Sequence, residues 1–344
     1  AESLVRHGAV RLLSGQDSGF AGPLVGVVSR NMPVWVVRDV HSDTEGFSPF
    51  NEGFGKVLRF GANSDAVIDR LHWLRDTLAP CLRSVIEETD GWNVADFITL
   101  GLQCGDDLHN RHVASTAHFV RTFAPAISRI AGAHASPILD FLGANDHFLL
   151  NLSIAAAKAA CESAHHTGQG DLVTGMSMNG AVFGIRVSGL GNRWFTAPSE
   201  PLRGKLREGF TEADAAPGIG DSLMIECCGL GGFASAAAPT LHEYLGGTFA
   251  DLRRETENMY QIVYGEHPIY RIPGTECRGV PLGISVKRVL ATGLRPVFNG
   301  GIAHRESGIG QIGAGIGHAP LACFEAAGQA LDELTSLQTT PPIP

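Results

Sequence analysis

The sequence has no excess of positive charge, no cysteine pair with the C-x-x-C spacing of metal sites and no long apolar run. Lys and Arg total 26 against 35 Asp and Glu, for a formal net charge of -9, which argues against a nucleic-acid or membrane-surface binder. The seven cysteines lack C-x-x-C spacing, which indicates reduced thiols and neither a disulfide framework nor a zinc site. No stretch approaches the roughly 20 apolar residues of a membrane span, and residues 1–13 lack a signal-peptide pattern. We therefore expect a cytoplasmic protein.

What is present is enough apolar sequence for a large core. With 344 residues, 44% hydrophobic and 18% charged, the chain should form two or three domains. We predict a multidomain α+β or α/β fold with a truncated α/β N-terminal part, a central helical domain and a Gly-rich α/β C-terminal domain. The expected boundaries are 1–63 for the N-terminal remainder, 64–168 for the helical domain, 169–336 for the Gly-rich domain with most site loops, and 337–344 for a disordered tail.

Apolar periodicity and turn residues predict the individual elements. Strands are expected at 24–28, 34–37, within 172–198, at 282–287 and at 294–298. Helices are expected from Ser64 to Pro80 and at 93–103, 107–131, 137–164, 221–236, 247–264 and 319–335. An irregular connection at 203–220 and a Gly-rich loop at 299–317 complete the prediction.

An arginine-bearing hairpin is predicted over 179–198, where Arg186 and Arg193 flank Gly189-Leu190-Gly191. Glycine lets the backbone approach a ligand closely, so that N–H groups and a guanidinium can hold one oxyanion. We therefore expect Arg186, Arg193 and Gly191 to bind a phosphate or a substrate carboxylate. A plain hairpin with arginines facing water is an equally good interpretation of the spacing.

Titratable residues are dense in GDDLHNRH (105–112), at the start of a predicted helix. Asp106 or Asp107 is placed to cap that helix, and a helix N-terminus favours anions near His109 and Arg111. A carboxylate next to a histidine can also fix an imidazole tautomer or contribute to a metal site. The alternative is a capped helix with a solvated polar face.

A second dense segment, 300–315, carries His304 and Glu306 among many glycines. A Gly-rich loop between a strand and a helix is a typical phosphate cradle, and Gly310, Gln311 and Gly313 are candidate contacts within 308–315. The substring 308–313 fits G-x-G-x-x-G, but it follows polar residues and no acidic residue is placed for a ribose, so we do not predict dinucleotide binding.

Three weaker groups complete the candidate site. Asp221 and Glu226 precede the glycines of 229–232, where Gly231 could supply a backbone donor. This segment could hold an anion or, through Asp221 and Glu226, a cation. Alternatively, it belongs to a packed helix of small residues. Further candidates for anion binding are the loop residues Asn51 and Lys56 and the helical residue Asn151, which could instead be a satisfied buried side chain. The cysteines have no histidine at nucleophile–base spacing, and we predict no thiol mechanism.

Five segments carry these motifs in order: GKVLRFGA (55–62), GDDLHNRH (105–112), FGIRVSGLGNRWFTAP (183–198), GDS with Glu226 and GLGG (220–232), and GIAHRESGIGQIGAG with APLACFE (301–325). Together they resemble the large-subunit family of oxamate carbamoyltransferase across essentially all of residues 1–335. The resemblance implies reversible transfer of a carbamoyl group between oxalurate and phosphate, giving oxamate and carbamoyl phosphate, in bacterial anaerobic allantoin degradation. It also implies a partner subunit that resembles acyl-CoA synthetases, or a homo-oligomer.

The chain departs from the family pattern in two places. Family members carry a further segment ahead of the point where this chain starts, so part of the N-terminal α/β domain is expected to be absent or separate. At 107–112 the family tends to read Glu-x-His-x-Arg-Asn where this chain reads Asp-Leu-His-Asn-Arg-His. That change leaves open an amide hydrolase or cyclo-ligase with another substrate, and a non-catalytic subunit that binds a small anion is a further alternative.

Carbamoyl transfer needs a polarised carbonyl, a stabilised phosphate and proton transfer at nitrogen. We assign carbonyl polarisation or proton transfer to His109 and His304, with Asp107 and Glu306 orienting them and Arg111 as a further catalytic candidate. The ligands would be a small carboxylate and phosphate. No cofactor or protein-held metal is predicted, although Mg²⁺ is compatible with the chemistry.

Overall fold

The structure is a computed structural model that describes residues 2–24 and 27–339, with the last two residues described by backbone only. The first half of the chain is largely helical. It contains α1 (Glu2–Arg6), the strands β1 (Val34–Arg38) and β2 (Glu45–Pro49), and then α2 (Asp65–Trp73), α3 (Ala79–Glu88), α4 (Val94–Gln103), α5 (Val113–Ile130), α6 (Ala135–Gly143) and α7 (Leu150–His165).

The helices bury the apolar positions that the sequence spaces by three or four residues. Val67, Leu74, Leu78, Leu82 and Val85 follow one another on the buried face from α2 to α3, which are joined by a π-helical turn at 74–78. The last four of them pack into a core dominated by aromatic side chains: Trp35, Phe50, Phe97, Phe119, Phe123 and Phe148. The antiparallel hairpin of β1 and β2 covers α7.

The second half is built from small antiparallel sheets. Its strands are β3 (Val173–Asn179), β4 (Val182–Val187), β5 (Trp194–Pro198), β6 (Arg203–Leu206), β7 (Ile219–Gly220), β8 (Val263–Ile272), β9 (Arg278–Ile284), β10 (Val297–Ala303) and β11 (Gln311–His318). The strand orders are β5-β4-β3-β7, β10-β11-β6 and β8-β9. The helices between and after them are α8 (Met224–Cys227), α9 (Leu241–Leu245), α10 (Phe249–Met259), α11 (Val286–Thr292) and α12 (Leu321–Thr339).

Helix α7 joins the two halves because it contributes to both hydrophobic cores. Leu152 and Ala155 belong to the aromatic core of the helical half, whereas Ile154, Ala157 and Cys161 belong to the core beneath the sheets. The mixture of helices and several small sheets confirms the predicted α+β multidomain class. We keep the domain boundaries given above as a proposal.

Several predicted elements differ from the structure. The Gly-rich loop expected at 299–317 is the hairpin of β10 and β11. The helix expected at 221–236 is the short α8 followed by a 3-10 segment at 231–237, the one expected at 107–131 begins at Val113, and the one expected at 137–164 is interrupted between α6 and α7. The helix expected at 247–264 ends at Met259, and the irregular segment 203–220 contains β6 and β7.

The predictions at the two ends of the chain are only partly tested. Residues 25 and 26 of the strand expected at 24–28 lie outside the described residues, and the described ones beside them form no strand. Helix α12 continues to Thr339, into the tail expected to be disordered, and 340–344 lie outside the described residues. Among the helices that the structure describes, none is long and apolar enough to cross a membrane.

Candidate functional site

His109 lies between a hydroxyl and a carboxyl group from a distant part of the chain. Its Nε2 is 2.8 Å from Ser222 Oγ, and its Nδ1 is 2.6 Å from Glu226 Oε1. All three side chains are buried. Ser222 lies two residues before α8 and Glu226 lies within it, so both can reach one imidazole. A hydroxyl, an imidazole and a carboxylate in this order form a proton-transfer chain.

Asp107 shapes the loop that presents His109. Its Oδ1 accepts the backbone N–H groups of His109, Asn110 and Arg111, with the last bond at 2.8 Å. Three amides on one carboxylate oxygen hold the turn in place, and Leu108 within it has a positive φ of 66°. The neighbouring Asp106 accepts the amides of Ala114 and Ser115, in the first turn of α5.

Glu226 is fixed by backbone donors as well as by His109. Its Oε1 accepts the N–H of Gly232 at 3.1 Å and that of Asn299 at 3.2 Å. Gly231 is needed beside it because its φ is +60° and a Cβ there would lie 2.3 Å from Glu226 Oε1. The backbone N–H groups of Gly232 and Asn299 therefore hold the carboxylate beside the imidazole.

The electrostatics of this pair favour a retained proton. Burial lowers the pKa of His109, but the charge of Glu226, the hydrogen bond to it and the charge of Asp107 outweigh burial and raise that pKa. Burial also raises the pKa of the Glu226 carboxyl, against the effect of His109. Because both pKa values are raised, the His109–Glu226 pair retains its proton to a higher pH than the isolated side chains would.

Arg59 supplies a buried positive charge in the same cleft. The guanidinium donates to Asn51 Oδ1 at 3.1 Å and to Gly53 O at 2.8 Å, which are both neutral acceptors. Within the described residues it has no carboxylate at ion-pair distance. Burial lowers the pKa of Arg59 to about 10, which still leaves it protonated at neutral pH. The buried Glu52 carboxylate favours the charged form of Arg59 but stands beyond ion-pair distance of the guanidinium, which can therefore still bind an anion.

Arg59, His109 and Ser222 line one narrow cleft with a cavity volume of about 40 Å³. Its polar lining comprises Arg59, His109, Asn110, His147, Ser222, Asn299 and Gln311. His147 Nε2 donates to the Asn110 carbonyl at 2.7 Å, and burial lowers the pKa of His147, so the ring is neutral with its lone pair on Nδ1. The cleft thus combines a fixed cation, a proton-carrying pair and neutral polar groups.

The structure brings part of the predicted site to this cleft. His109 and Gln311 line it, and Asp107, Glu226 and Gly231 hold His109 in place. Asn51 and Asn151 stand behind Arg59. Asn51 Nδ2 donates to Asn151 Oδ1 at 2.9 Å while its own oxygen accepts from Arg59.

The arginines of the predicted hairpin lie elsewhere. Arg186 is buried and forms an ion pair with Glu162 at 2.5 Å. Glu162 therefore neutralises the guanidinium that was expected to bind an anion. Arg193 is exposed and covers the Phe195 ring at 5.0 Å, and Gly191 lies in the exposed turn beside it.

Other predicted contacts are also away from the cleft. His304 accepts the N–H of Glu306, which is exposed, and Lys56 is exposed as well. Arg111 donates to the Gly105 carbonyl at 3.0 Å.

The expected phosphate cradle at 308–315 is replaced by strand pairing. Gly313 pairs with Ile302 on one side and Leu206 on the other, so its part of the backbone belongs to the sheet, and Gly310 lies in the turn at a φ of +110°. Asp221 Oδ1 accepts a hydrogen bond from Ser177 Oγ at 2.6 Å, and Asp221 and Asp17 line a separate cleft. In the part of the chain that the structure describes, no group of three or more His, Cys, Asp or Glu is arranged to hold a metal ion.

Sequence reasoning missed Arg59, Asn110, Asn299 and the role of Ser222. Arg59 stands inside the segment GKVLRFGA, but its apolar neighbours gave no sign that it is buried. Asn299 directly precedes the glycines of 300–301, and Ser222 follows Gly220-Asp221. The sequence signal that could have identified Asn299 and Ser222 is their position next to the glycines of two candidate site loops.

Comparison with known proteins finds relatives over most of the chain. Residues 10–222 match the family described as "Oxamate carbamoyltransferase subunit AllG". The chain is 40% identical over 337 residues to "Oxamate carbamoyltransferase subunit AllG" of Escherichia coli (strain K12), covering 97% of this chain and 80% of that protein. It is 35% identical over 329 residues to "Uncharacterized protein YahG" of the same organism, covering 95% and 70% respectively. It also superposes on the crystal structure of a conserved protein of unknown function from Enterococcus faecalis V583, with a TM-score of 0.94 and 37% identity over 96% of this chain and 80% of that one.

Proposed function

This chain belongs to the oxamate carbamoyltransferase subunit AllG family, and from that premise we propose that it transfers a carbamoyl group between a ureido acid such as oxalurate and phosphate. The Escherichia coli relative is named as a subunit, and we extend this to the present chain by proposing that it works as a homo-oligomer or with a subunit resembling acyl-CoA synthetases. Mg²⁺ as a counter-ion of the phosphate remains part of the proposal.

The observation that carries the proposal is the presence of Arg59 and the His109–Glu226 pair in one cleft. The reaction joins a dianionic phosphate to a neutral carbonyl, and a buried guanidinium without a carboxylate partner suits the phosphate. Because its charge is balanced by nothing at ion-pair distance among the described side chains, binding an anion relieves the cost of burying it.

The proton inventory of the reaction matches the His109 pair. A phosphate oxygen bonds to the terminal ureido carbon, the bond from that carbon to the oxamate nitrogen breaks, and the nitrogen needs one proton while the attacking phosphate loses one. The protonated His109 would give its proton to the leaving nitrogen and regain one from the attacking phosphate, with the Ser222 hydroxyl on its Nε2 as relay. Glu226 stabilises the protonated imidazole throughout.

The test is Arg59→Met in the full chain, with the exposed Arg193→Met as the matched control. Losing a charge-assisted hydrogen bond of about 1.5–3 kcal/mol should weaken the binding of phosphate and carbamoyl phosphate by about 10- to 100-fold. Arg193→Met should stay within about threefold of the parent protein. Titration calorimetry gives both constants.

Equal affinities of Arg59→Met and the parent protein would contradict the anion role, and Arg59→Lys, which keeps the charge, guards against misreading a fold defect. Carbamoyl phosphate binding without turnover in the isolated chain would instead favour the non-catalytic anion-binding subunit.

One specific observation favours a second function, amide hydrolysis. The Ser222–His109–Glu226 chain has the connectivity of a nucleophilic triad. Ser222 Oγ would give its proton to His109 and bond to the carbonyl carbon, and the C–N bond would break as His109 passes that proton to the amine. Water would then attack the ester, releasing the acid and returning a proton to Ser222 Oγ. Mass spectrometry of protein incubated with oxalurate tests it. A covalent adduct that Ser222→Ala abolishes supports hydrolysis, and turnover retained by Ser222→Ala contradicts it.

A further inference from the structure

Asn299 carries a hydrogen-bond acceptor that nothing in the described chain satisfies. The residue is fully buried on β10 and lines the cleft. Its Nδ2 donates to Asp107 Oδ2 at 2.9 Å and to Ser235 Oγ at 3.1 Å, while its Oδ1 has no partner among the described residues. Leaving such a group unpaired in a buried place is costly, so a ligand atom is the natural partner.

The orientation of this amide follows from its neighbours. A carboxylate oxygen accepts hydrogen bonds, and the other oxygen of Asp107 already accepts three backbone amides. The amide nitrogen of Asn299 must therefore face Asp107, which directs the oxygen away from it. Asp107 thus decides that Asn299 offers an acceptor, and not a donor, to anything that binds.

Asn110 offers the opposite polarity in the same cleft. Its backbone is held at both ends, by Asp107 Oδ1 on the N–H and by His147 Nε2 on the carbonyl. Its side-chain Nδ2 is buried and has no partner in the described part of the chain. Asn299 Oδ1 and Asn110 Nδ2 are therefore a buried acceptor and a buried donor in the cleft without a partner among the described residues.

We infer that Asn299 and Asn110 recognise a terminal –C(=O)–NH2 group, with Asn299 Oδ1 accepting from its nitrogen and Asn110 Nδ2 donating to its oxygen. The inference rests on the proposed function, since Arg59 must hold the anionic end of the same ligand. It goes further by naming the residues that distinguish a carbamoyl compound from an acyl compound of the same shape. Asn299 and Asn110 are specificity residues and Asp107 is the positioning residue that sets their polarity.

Acetyl phosphate is the probe that separates recognition of the amide from recognition of the phosphate. It replaces the –NH2 of carbamoyl phosphate by a methyl group of similar size, so it leaves Asn299 Oδ1 unpaired. We expect the full chain to bind carbamoyl phosphate at least about tenfold more tightly than acetyl phosphate. Arg59 would bind the phosphate group of both ligands.

Asp107→Asn should remove that preference. The new amide can donate to residue 299, which allows the Asn299 side chain to turn over and present its nitrogen to the ligand. The ratio of the two dissociation constants should fall to about one or invert. Ser235→Ala is the matched control, because it removes the other partner of Asn299 Nδ2 but leaves Asp107 to fix the amide; it should keep the preference.

The outcomes separate the inference from the proposed function. If the parent protein binds both acyl phosphates equally, and Arg59→Met weakens both, the amide recognition is wrong and the anion site stands. If the parent protein binds neither phosphate nor carbamoyl phosphate, the proposed function fails and this inference fails with it. Should Asp107→Asn not fold, Asn299→Ser takes its place, and an unchanged preference in that variant overturns the inference.

Discussion

His109 and Glu226 make the strongest electrostatic pair of the cleft because both are buried and 2.6 Å apart. The raised pKa of His109 means that the folded protein holds a proton that the unfolded chain releases near pH 6.5. This stabilisation is fully present below pH 6.5 and is lost as the pH rises through the raised pKa of the folded state. The same proton is the one proposed to move during catalysis.

Glu226→Gln should flatten this pH dependence. With the carboxylate charge gone, burial outweighs the remaining effect of the Asp107 charge, the pKa of His109 falls, and the loss of stability above pH 6.5 disappears. Urea unfolding between about pH 6 and 9 measures the slope. Glu255→Gln is the control, since Glu255 pairs with the half-exposed His318 and should leave the slope unchanged. An identical slope in Glu226→Gln would show that the pair does not hold the proton.

Strand β2 meets helix α7 at a glycine that a side chain would disrupt. A Cβ at Gly46 would lie 2.1 Å from the Ala155 carbonyl oxygen and 2.5 Å from the Ala159 nitrogen, both rigid helix backbone. This contact sets the distance between the hairpin and α7. Asn51 lies two residues after the end of β2, and Asn151 stands on α7. The crossing therefore fixes the groups that hold Arg59.

Gly46→Ala should destabilise the protein by about 2 kcal/mol or more, because the strand must move away from the helix. Gly265→Ala is the matched control within a strand, since nothing lies within 4 Å of a Cβ at that position. Its effect should stay within about 0.5 kcal/mol. Chemical denaturation of both variants measures the difference, and equal free energies of unfolding would contradict the close packing at Gly46.

The hairpin of β10 and β11 explains why glycine density misled the sequence-based prediction. A Cβ at Gly315 would lie 2.6 Å from the Arg203 carbonyl oxygen, and one at Gly317 would lie 2.3 Å from the Phe298 ring. These glycines permit close approach of strands and rings, which a loop does not require. Close packing and ligand contact impose the same residue, so composition alone did not separate them.

Across the whole molecule, Glu162 on α7 connects three parts of the chain. Lys158 on the same helix and Arg186 on β4 each lie 2.5 Å from it, and Lys158 Nζ also donates to the Gln16 carbonyl at 2.7 Å. Burial raises the pKa of Glu162, but Arg186 and Lys158 outweigh it and lower that pKa. This stabilisation is present above pH 4.5 and is lost as the pH falls through the lowered value.

Glu162→Gln should be strongly destabilising because it leaves two buried cations without a carboxylate. Breaking a buried pair from one side costs about 3–5 kcal/mol, whereas Glu88→Gln, in the exposed pair with Arg129, should cost under about 1 kcal/mol. Thermal and urea unfolding measure both. A cost for Glu162→Gln as small as for Glu88→Gln would mean that Lys158 and Arg186 need no shared partner.

Much of the helical half was predictable because its signals are local. The apolar spacing that gave α4 over 93–103, and the turn that gave β1, involve neighbours within a few positions. The site was only partly predictable. His109 and Glu226 were identified as candidates, but their pairing joins positions 117 residues apart and no local pattern encodes it.

The sequence by itself determined the family, the α+β class and most helices, because motifs, periodicity and breaker residues act over short distances along the chain. Only the tertiary structure decided which arginine is free to bind an anion. Arg59, Arg186 and Arg193 are chemically identical, yet one is buried among neutral acceptors, one is neutralised by Glu162 and one faces water. The charge available to a ligand depends on burial and on partners brought in from distant positions, which folding alone assembles.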